Sequence, residues 1–194
     1  MSNTEQPGRR RSPRSHEAIL TATIELLEQK GYVSLTIEGI AARAGVGKQT
    51  IYRWWPSKAA LVIEAYGERL NQRTPAPDTG SVRNDLEVLL TKVFSAISEA
   101  PSPCAMIGLM AEAQTDNAIA EQFYSGFIRG RRERVREILE RGIRRGEIHP
   151  STDTDVAVDA LFGPLWYRMM VGRALGDADF ASSLVRQTLQ GIHA

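Results

Sequence analysis

The sequence predicts an all-α fold of about nine helices in two parts. Three observations carry this. Apolar residues recur at helical spacing in nearly every segment. Glycine and proline punctuate the chain at Gly31, Gly45, Pro56, residues 74–80, Pro101, Pro103, Gly146 and Pro150. No period-two strand pattern of useful length appears. A chain of 194 residues can bury a core without disulfides or metal.

The first helix is expected from about Ser15 to Lys30. Ser15 is a candidate cap, Glu17 lies in the first turn, and Leu20, Ile24 and Leu27 share a face. Gly31 stops it. Thr36 then caps a second helix, in which Ile37, Ile40, Ala41 and Ala44 recur at i, i+3, i+4, i+7. Gly45 and Val46 form a turn, and a third helix spans Lys48 to Trp54. Pro56 ends it, because a residue before proline avoids the helical region. Ser57 caps a fourth helix, from Lys58 to about Arg73.

Pro75, Pro77 and Gly80 break the chain at residues 74–80, which places a domain boundary there. Five further helices follow, at Val82–Glu99, Cys104–Gln114, Asn117–Arg145, Thr154–Leu175 and Ala178–Ile192. The expected organisation is a disordered basic arm over 1–15, with Arg9, Arg10, Arg11 and Arg14, then a unit over 16–74 and a helical unit over 81–194.

Composition narrows the class. The single Cys104 has no intramolecular partner and reads as a buried small residue, so a reducing cytoplasm is expected. The early arginines are not followed by an apolar stretch, so no secretory leader is expected. No segment approaches the ~20 apolar residues of a membrane span. Net charge is +1 overall, yet residues 1–74 hold 11 basic and 7 acidic side chains, and the remainder is net acidic. A basic end beside an acidic end suggests contact with a polyanion.

The third helix sharpens that suggestion. Ile51 and Trp55 lie four apart and can pack on the first two helices, which leaves Lys48, Gln49, Tyr52 and Arg53 facing away. A DNA major groove admits an α-helix and is read by such side chains. Arg53 or Lys48 suits guanine, Gln49 suits adenine, and Thr50 and Tyr52 suit phosphates or thymine methyls. Lys58 can add a phosphate charge, and Thr36 sits where helix N–H groups favour an anion. Trp55 reads as core, and Trp54 reads equally as core or contact.

At these residues the chain resembles the TetR (tetracycline repressor-like) transcriptional regulators. The resemblance covers about His16 to Leu61. It rests on Leu35-Thr36, Ile40-Ala41 with Ala44-Gly45-Val46, Thr50-Ile51-Tyr52, and the aromatic-x-Ser57-Lys58 exit with Leu61. It implies an N-terminal helix-turn-helix DNA-binding domain. Its DNA contacts would be Thr36, Lys48, Gln49, Thr50, Tyr52, Arg53, Trp54 and Lys58. The departure is Gly39, where the family often has an acidic residue completing a capping box with Thr36.

The resemblance further implies a C-terminal domain that dimerises and encloses an effector pocket, with no cofactor or metal. The last two helices are apolar on more than one side, which suits burial in a four-helix dimer interface. Gly163 and Pro164 are expected to kink the first of them. Pocket candidates are Met106, Met110, Phe123, Phe127, Phe162, Trp166 and Met170, since methionine and aromatic side chains suit adaptable apolar sites. Arg168 lies in the most apolar segment. It pairs with a carboxylate such as Asp159, meets an anionic ligand, or reaches the surface. The arginines at 129, 131, 132, 134 and 136 alternate with Glu133, Glu137 and Glu140, so a solvated ion-paired face is expected.

The implied function is a ligand-responsive repressor. It would bind a palindromic double-stranded operator as a homodimer, be released by a small-molecule effector, and not touch a membrane. An activator or global regulator on the same scaffold is the nearer alternative. An enzyme is disfavoured, because no Glu-x-x-His, His-Glu-x-x-His, G-x-G-x-x-G, Walker loop or G-x-S-x-G occurs, and His16, His149 and His193 are scattered. A helical interaction adaptor is the remaining reading.

Overall fold

The computed structural model describes residues 12–99 and 103–191, the side chains of Asn71 and Cys104 excepted. The expectations for Arg9, Arg10, Arg11 and the Cys104 side chain lie outside the described residues. Among the described residues every regular element is helical. The elements are α1 (Pro13–Ser34), α2 (Ile37–Ala44), α3 (Lys48–Trp54), α4 (Lys58–Arg73), α5 (Val82–Ser98), α6 (Pro103–Ala113), α7 (Asn117–Phe123), α8 (Arg129–Arg145), α9 (Thr154–Met170) and α10 (Ala178–Gln190). A π-helical turn, Tyr124–Ile128, joins α7 to α8 in one rod, so the described residues form nine rods.

Several boundaries depart from expectation. Helix α1 breaks at Gly31 (φ 71°, ψ 173°), its expected end, and a further helical turn carries it to Ser34. Helix α1 starts at Pro13, in the N-terminal turn position that proline favours, so Arg14 and Ser15 belong to the helix and not to an arm. Ser12, rather than Ser15, occupies the cap position. The rod expected as a uniform α-helix over Asn117–Arg145 contains the π turn. Helix α9 stops at Met170 instead of Leu175, because Gly172 takes φ 67° and the chain turns back, with Arg173 N donating to Arg168 O at 2.8 Å.

Local signals explain the rest. Thr36 Oγ accepts from Gly39 N at 3.1 Å, so α2 is capped without an acidic partner at Gly39. Gly45 closes α2 at φ 65°, and Val46 N returns to Ala41 O at 3.0 Å. Trp55, before Pro56, is extended at φ −129° and ψ 118°, which ends α3. Ser57 Oγ accepts from Ala60 N at 3.1 Å and starts α4.

Ile19, Leu27, Ile40, Ile51, Trp55 and Leu61 bury the centre of the first part. Leu86, Leu90, Phe94, Val135, Leu139, Val158, Leu161 and Val185 bury the second. Helix α4 touches both, packing on α1 and also on α5, α7 and the π turn.

Candidate nucleic-acid interface and effector pocket

Helix α3 divides its faces as its spacing requires. Ile51 is fully buried and Trp55 nearly so. Lys48, Gln49, Tyr52 and Arg53 are exposed, with Tyr52 at 53%. Thr50 and Trp54 are half-buried, and Thr36 is exposed at the start of α2. A seven-residue helix thus presents two cations, an amide and a phenol on one surface, with no apolar reason for the tyrosine to stay in water.

Lys48 and, at the start of α4, Lys58 already have partners. Lys48 Nζ donates to Glu38 Oε1 at 3.0 Å. That hydrogen bond raises the Lys48 ammonium pKa and holds the Glu38 carboxyl below the usual range. Both groups are exposed, so a phosphate can replace Glu38 at little cost. Lys58 is half-buried. Its ammonium donates to Tyr32 O at 3.1 Å and lies 4.3 Å from the Tyr32 ring centroid, fastening the start of α4 to the end of α1.

The inward side of α3 is held by polar contacts that the sequence reading missed. Trp55 Nε1 donates to Glu64 Oε2 at 2.7 Å, and His16 Nε2 lies 2.6 Å from Glu64 Oε1. The His16 ring stacks on Trp55 at 5.4 Å, and Trp54 meets Trp55 edge-on at 5.6 Å. These contacts lock the C-terminal end of α3 against α1 and α4. His16 gave no local signal, because its partner stands 48 residues away. Glu68 joins His16 and Glu64 in a group whose ligand atoms lie within 4.8 Å of one another. That geometry is compatible with a cation, but both oxygens of Glu64 already serve the fold.

The second part holds a partly open, largely apolar cavity of about 200 Å³ between α5, the π turn, α8 and α9. Phe127, Phe162 and Trp166 line it, as expected, together with Val93, Ile97 and Leu165. Phe123 stands behind that wall, stacked on Phe127 at 5.4 Å. The other candidates lie elsewhere. Met106 and Met110 belong to α6 and do not line the cavity. Met170 is 67% exposed on the outer side of α9. The Arg168 guanidinium lies 4.0 Å from the Phe180 ring centroid, packed on α10. Asp159, offered as its partner, is bound by Arg132.

Arg131 reverses an expectation. Read as part of a solvated face, it is 7% exposed and lines the cavity. Its neighbours do pair on the surface, Arg132 and Arg136 with Asp155 and Arg132 with Asp159. Arg131 instead donates Nη1 to Phe127 O and stacks 3.7 Å from the Phe127 ring centroid. Burial pushes its pKa down to about 9.

Comparison with known proteins agrees with this geometry. A family model described as bacterial regulatory proteins, tetR family, matches residues 19–65. A second, described as the tetracyclin repressor-like C-terminal domain, matches residues 76–188. The chain belongs to the tetR family of transcriptional regulators. The uncharacterised HTH-type regulator YdeS of Bacillus subtilis (strain 168) is 34% identical over 188 residues, 96% of this chain and 94% of that one. The crystal structure of the TetR family regulator SCO0332 superposes with TM-score 0.81 at 32% identity, covering 93% of this chain and all of that one. FadR from Bacillus subtilis, solved in complex with stearoyl-CoA, shares the fold at TM-score 0.72 and 21% identity. Membership of the tetR family makes the N-terminal part a DNA-binding helix-turn-helix domain. Among the described residues, no helix is long and apolar enough to cross a membrane.

Proposed function

We propose that this regulator is a cytoplasmic repressor and not an enzyme. It binds a two-fold symmetric operator as a homodimer and leaves it when a small molecule fills the α5/α8/α9 cavity. The observation that carries this reading is the division of α3 into a buried Ile51–Trp55 side and an exposed Lys48–Gln49–Tyr52–Arg53 side.

Within this reading, Gln49 and Arg53 face base edges, while Thr36, Lys48, Thr50 and Tyr52 hold phosphates or methyl groups. Trp54 bounds the α3 surface, and Lys58 acts beside the phosphate backbone while anchoring α4. Residues 16–74 form the DNA-binding unit and 81–194 the effector and dimer unit. One α3 reads a half-site only, so two copies must lie about one DNA turn, ~34–36 Å, apart.

Helix α9 supports the dimer. Val156, Ala160, Gly163, Tyr167 and Met170 recur along its outer side and are all exposed, Tyr167 at 67%. An apolar stripe of this kind along one helix is suited to burial against its own copy, with α10 completing a four-helix contact.

Gel shift with a fragment upstream of the protein's own coding sequence tests the reading. Saturable retention by a palindrome, lost steeply as salt rises, is the expected result. Equal retention of a scrambled palindrome at every salt concentration contradicts it.

A further inference from the structure

The cavity contains one group that a purely apolar site would not tolerate. Arg131 is 7% exposed, lines the cavity, and carries an Nη2 with no hydrogen-bond partner. Its remaining contacts are the Phe127 carbonyl and the Phe127 ring. Neither is an anion. A buried guanidinium without a counter-ion is costly to a fold. Stability alone is better served at this position by methionine or leucine.

The second charge at the cavity does not relieve it. Asp159 lines the same space, but its carboxylate is held by Arg132, which also reaches Asp155 at 3.3 Å. The nearest charge of consequence to Arg131 is Arg134, a like charge. Arg132 lines the space too, paired with Asp155 and Asp159, and the remaining wall is apolar, Val93, Ile97, Phe162, Leu165 and Trp166 among it. The geometry therefore combines one buried cation, one unused donor and an aromatic-aliphatic wall.

We propose that this cavity binds a small apolar monocarboxylate whose carboxylate is held by Arg131 Nη2 and whose hydrocarbon part packs on Phe162 and Trp166. The inference rests on reading the C-terminal unit as the effector domain, and it names the effector's chemical class. Arg132 is already held by Asp155 and Asp159, so Arg131 is the lining cation left without an anion, and one carboxylate matches it. A dianionic phosphate head would leave a charge with no free cation to meet it. The π turn contributes by placing Phe127, whose ring and carbonyl both contact the guanidinium, at the cavity wall; such turns recur at functional sites.

Helix α4 stands next to this group. The Tyr66 hydroxyl on α4 is buried without a partner, and its ring lies 6.0 Å from that of Phe127.

Thermal shift and calorimetry on the full chain test this with 4-phenylbutyrate and octanoate, their neutral amides, and 4-phenylbutylamine. The expected result is a melting shift from at least one acid, with its amide at least tenfold weaker and the amine inert. R131M is expected to abolish the acid's shift while melting, without ligand, at or above the wild type. R131Q, which keeps an amide donor for the Phe127 carbonyl, serves if R131M does not fold. Equal response to acid and amide, no response to either acid, or an undiminished acid response in the arginine variants overturns the proposal. Operator retention by the same preparations separates the two readings. An acid-specific shift without operator binding rejects the regulator and leaves the pocket. Operator binding with no acid-specific shift does the reverse.

Discussion

A Cβ placed on Gly67 of α4 would lie 3.1 Å from the carbonyl oxygen of Gly126 in the π turn. The two backbones therefore meet without side chains between them. Gly126 precedes Phe127, which lines the cavity, and Gly67 follows Tyr66. Helix α4 and the π turn beside the cavity thus meet in one close joint.

Gly126→Ala is expected to strain that joint. The added methyl would stand 2.7 Å from Ile63 Cγ2, on a β-branched side chain with little rotamer freedom. Overpacking of this kind costs ~1–3 kcal/mol, more than the ~1 kcal/mol that alanine returns in helix propensity. Urea unfolding measures the difference, and a variant as stable as the wild type would show that the joint is loose.

Tyr32 ties α1 to α6 by donating its hydroxyl to the Glu112 carboxylate. Tyr32→Phe is expected to lose ~1.5–3 kcal/mol, the usual worth of a hydrogen bond to a charged group. The loss depends on pH in a defined direction. Burial, and then Glu112, raise the Tyr32 pKa far above its ordinary 10.0. The advantage of tyrosine is therefore whole below pH 10 and shrinks as pH rises beyond it, because only the unfolded chain ionises there. Parallel denaturation curves of wild type and variant at pH 8 and above pH 10 check the sign.

Glu64 is expected to set the orientation of α3. Glu64→Ala leaves the buried Trp55 indole N–H without its carboxylate and His16 without its partner. An unmet buried donor costs ~1–3 kcal/mol in stability. Operator affinity should fall as well, although Glu64 is on α4 and carries the wrong charge for DNA. Anisotropy at a temperature where the variant is folded separates the two effects. An unchanged operator Kd would mean that α3 is held by apolar packing alone.

The outer stripe of α9 gives a third kind of expectation. Tyr167→Glu with Met170→Glu places charges on the most exposed apolar positions of that helix. Sedimentation velocity at micromolar concentration should then show monomer where the wild type shows dimer. Operator binding should fall with it, because one α3 reads a half-site only. A double variant that still sediments as a dimer would move the interface away from α9.

How much of this was legible in the sequence depends on range. The faces of α3 follow from spacing within seven residues, and the caps at Thr36 and Ser57 follow from residue type. Ile51 and Trp55 were therefore placed inward correctly. The pocket was only partly legible. Phe127, Phe162 and Trp166 line it, yet Met170 and Arg168 occupy other sides of the same helix. Arg131 was invisible for a physical reason. Its neighbours Arg132 and Arg136 do form surface ion pairs, and a rotation of one residue, ~100°, decides which arginine goes inside. That rotation is set by how α8 packs on α5 and α9, which local pattern does not encode. The π turn shifts the register of the rod at the same place. His16 was missed because both of its partners lie on other helices.

The exposed side of α3 is expected to read DNA. Fluorescence anisotropy on the operator, comparing the wild type with Lys48→Ala, Gln49→Ala, Tyr52→Ala and their triple combination, measures this. All these residues are exposed, so the folded dimer should be unchanged by sedimentation and melting. Each single replacement is expected to cost ~1–3 kcal/mol, or roughly 5- to 150-fold in Kd. Lys48→Ala should also flatten the salt dependence by about one ion. A triple variant that binds the operator as tightly as the wild type, with the same salt slope, would contradict the assignment of α3 as the reading surface.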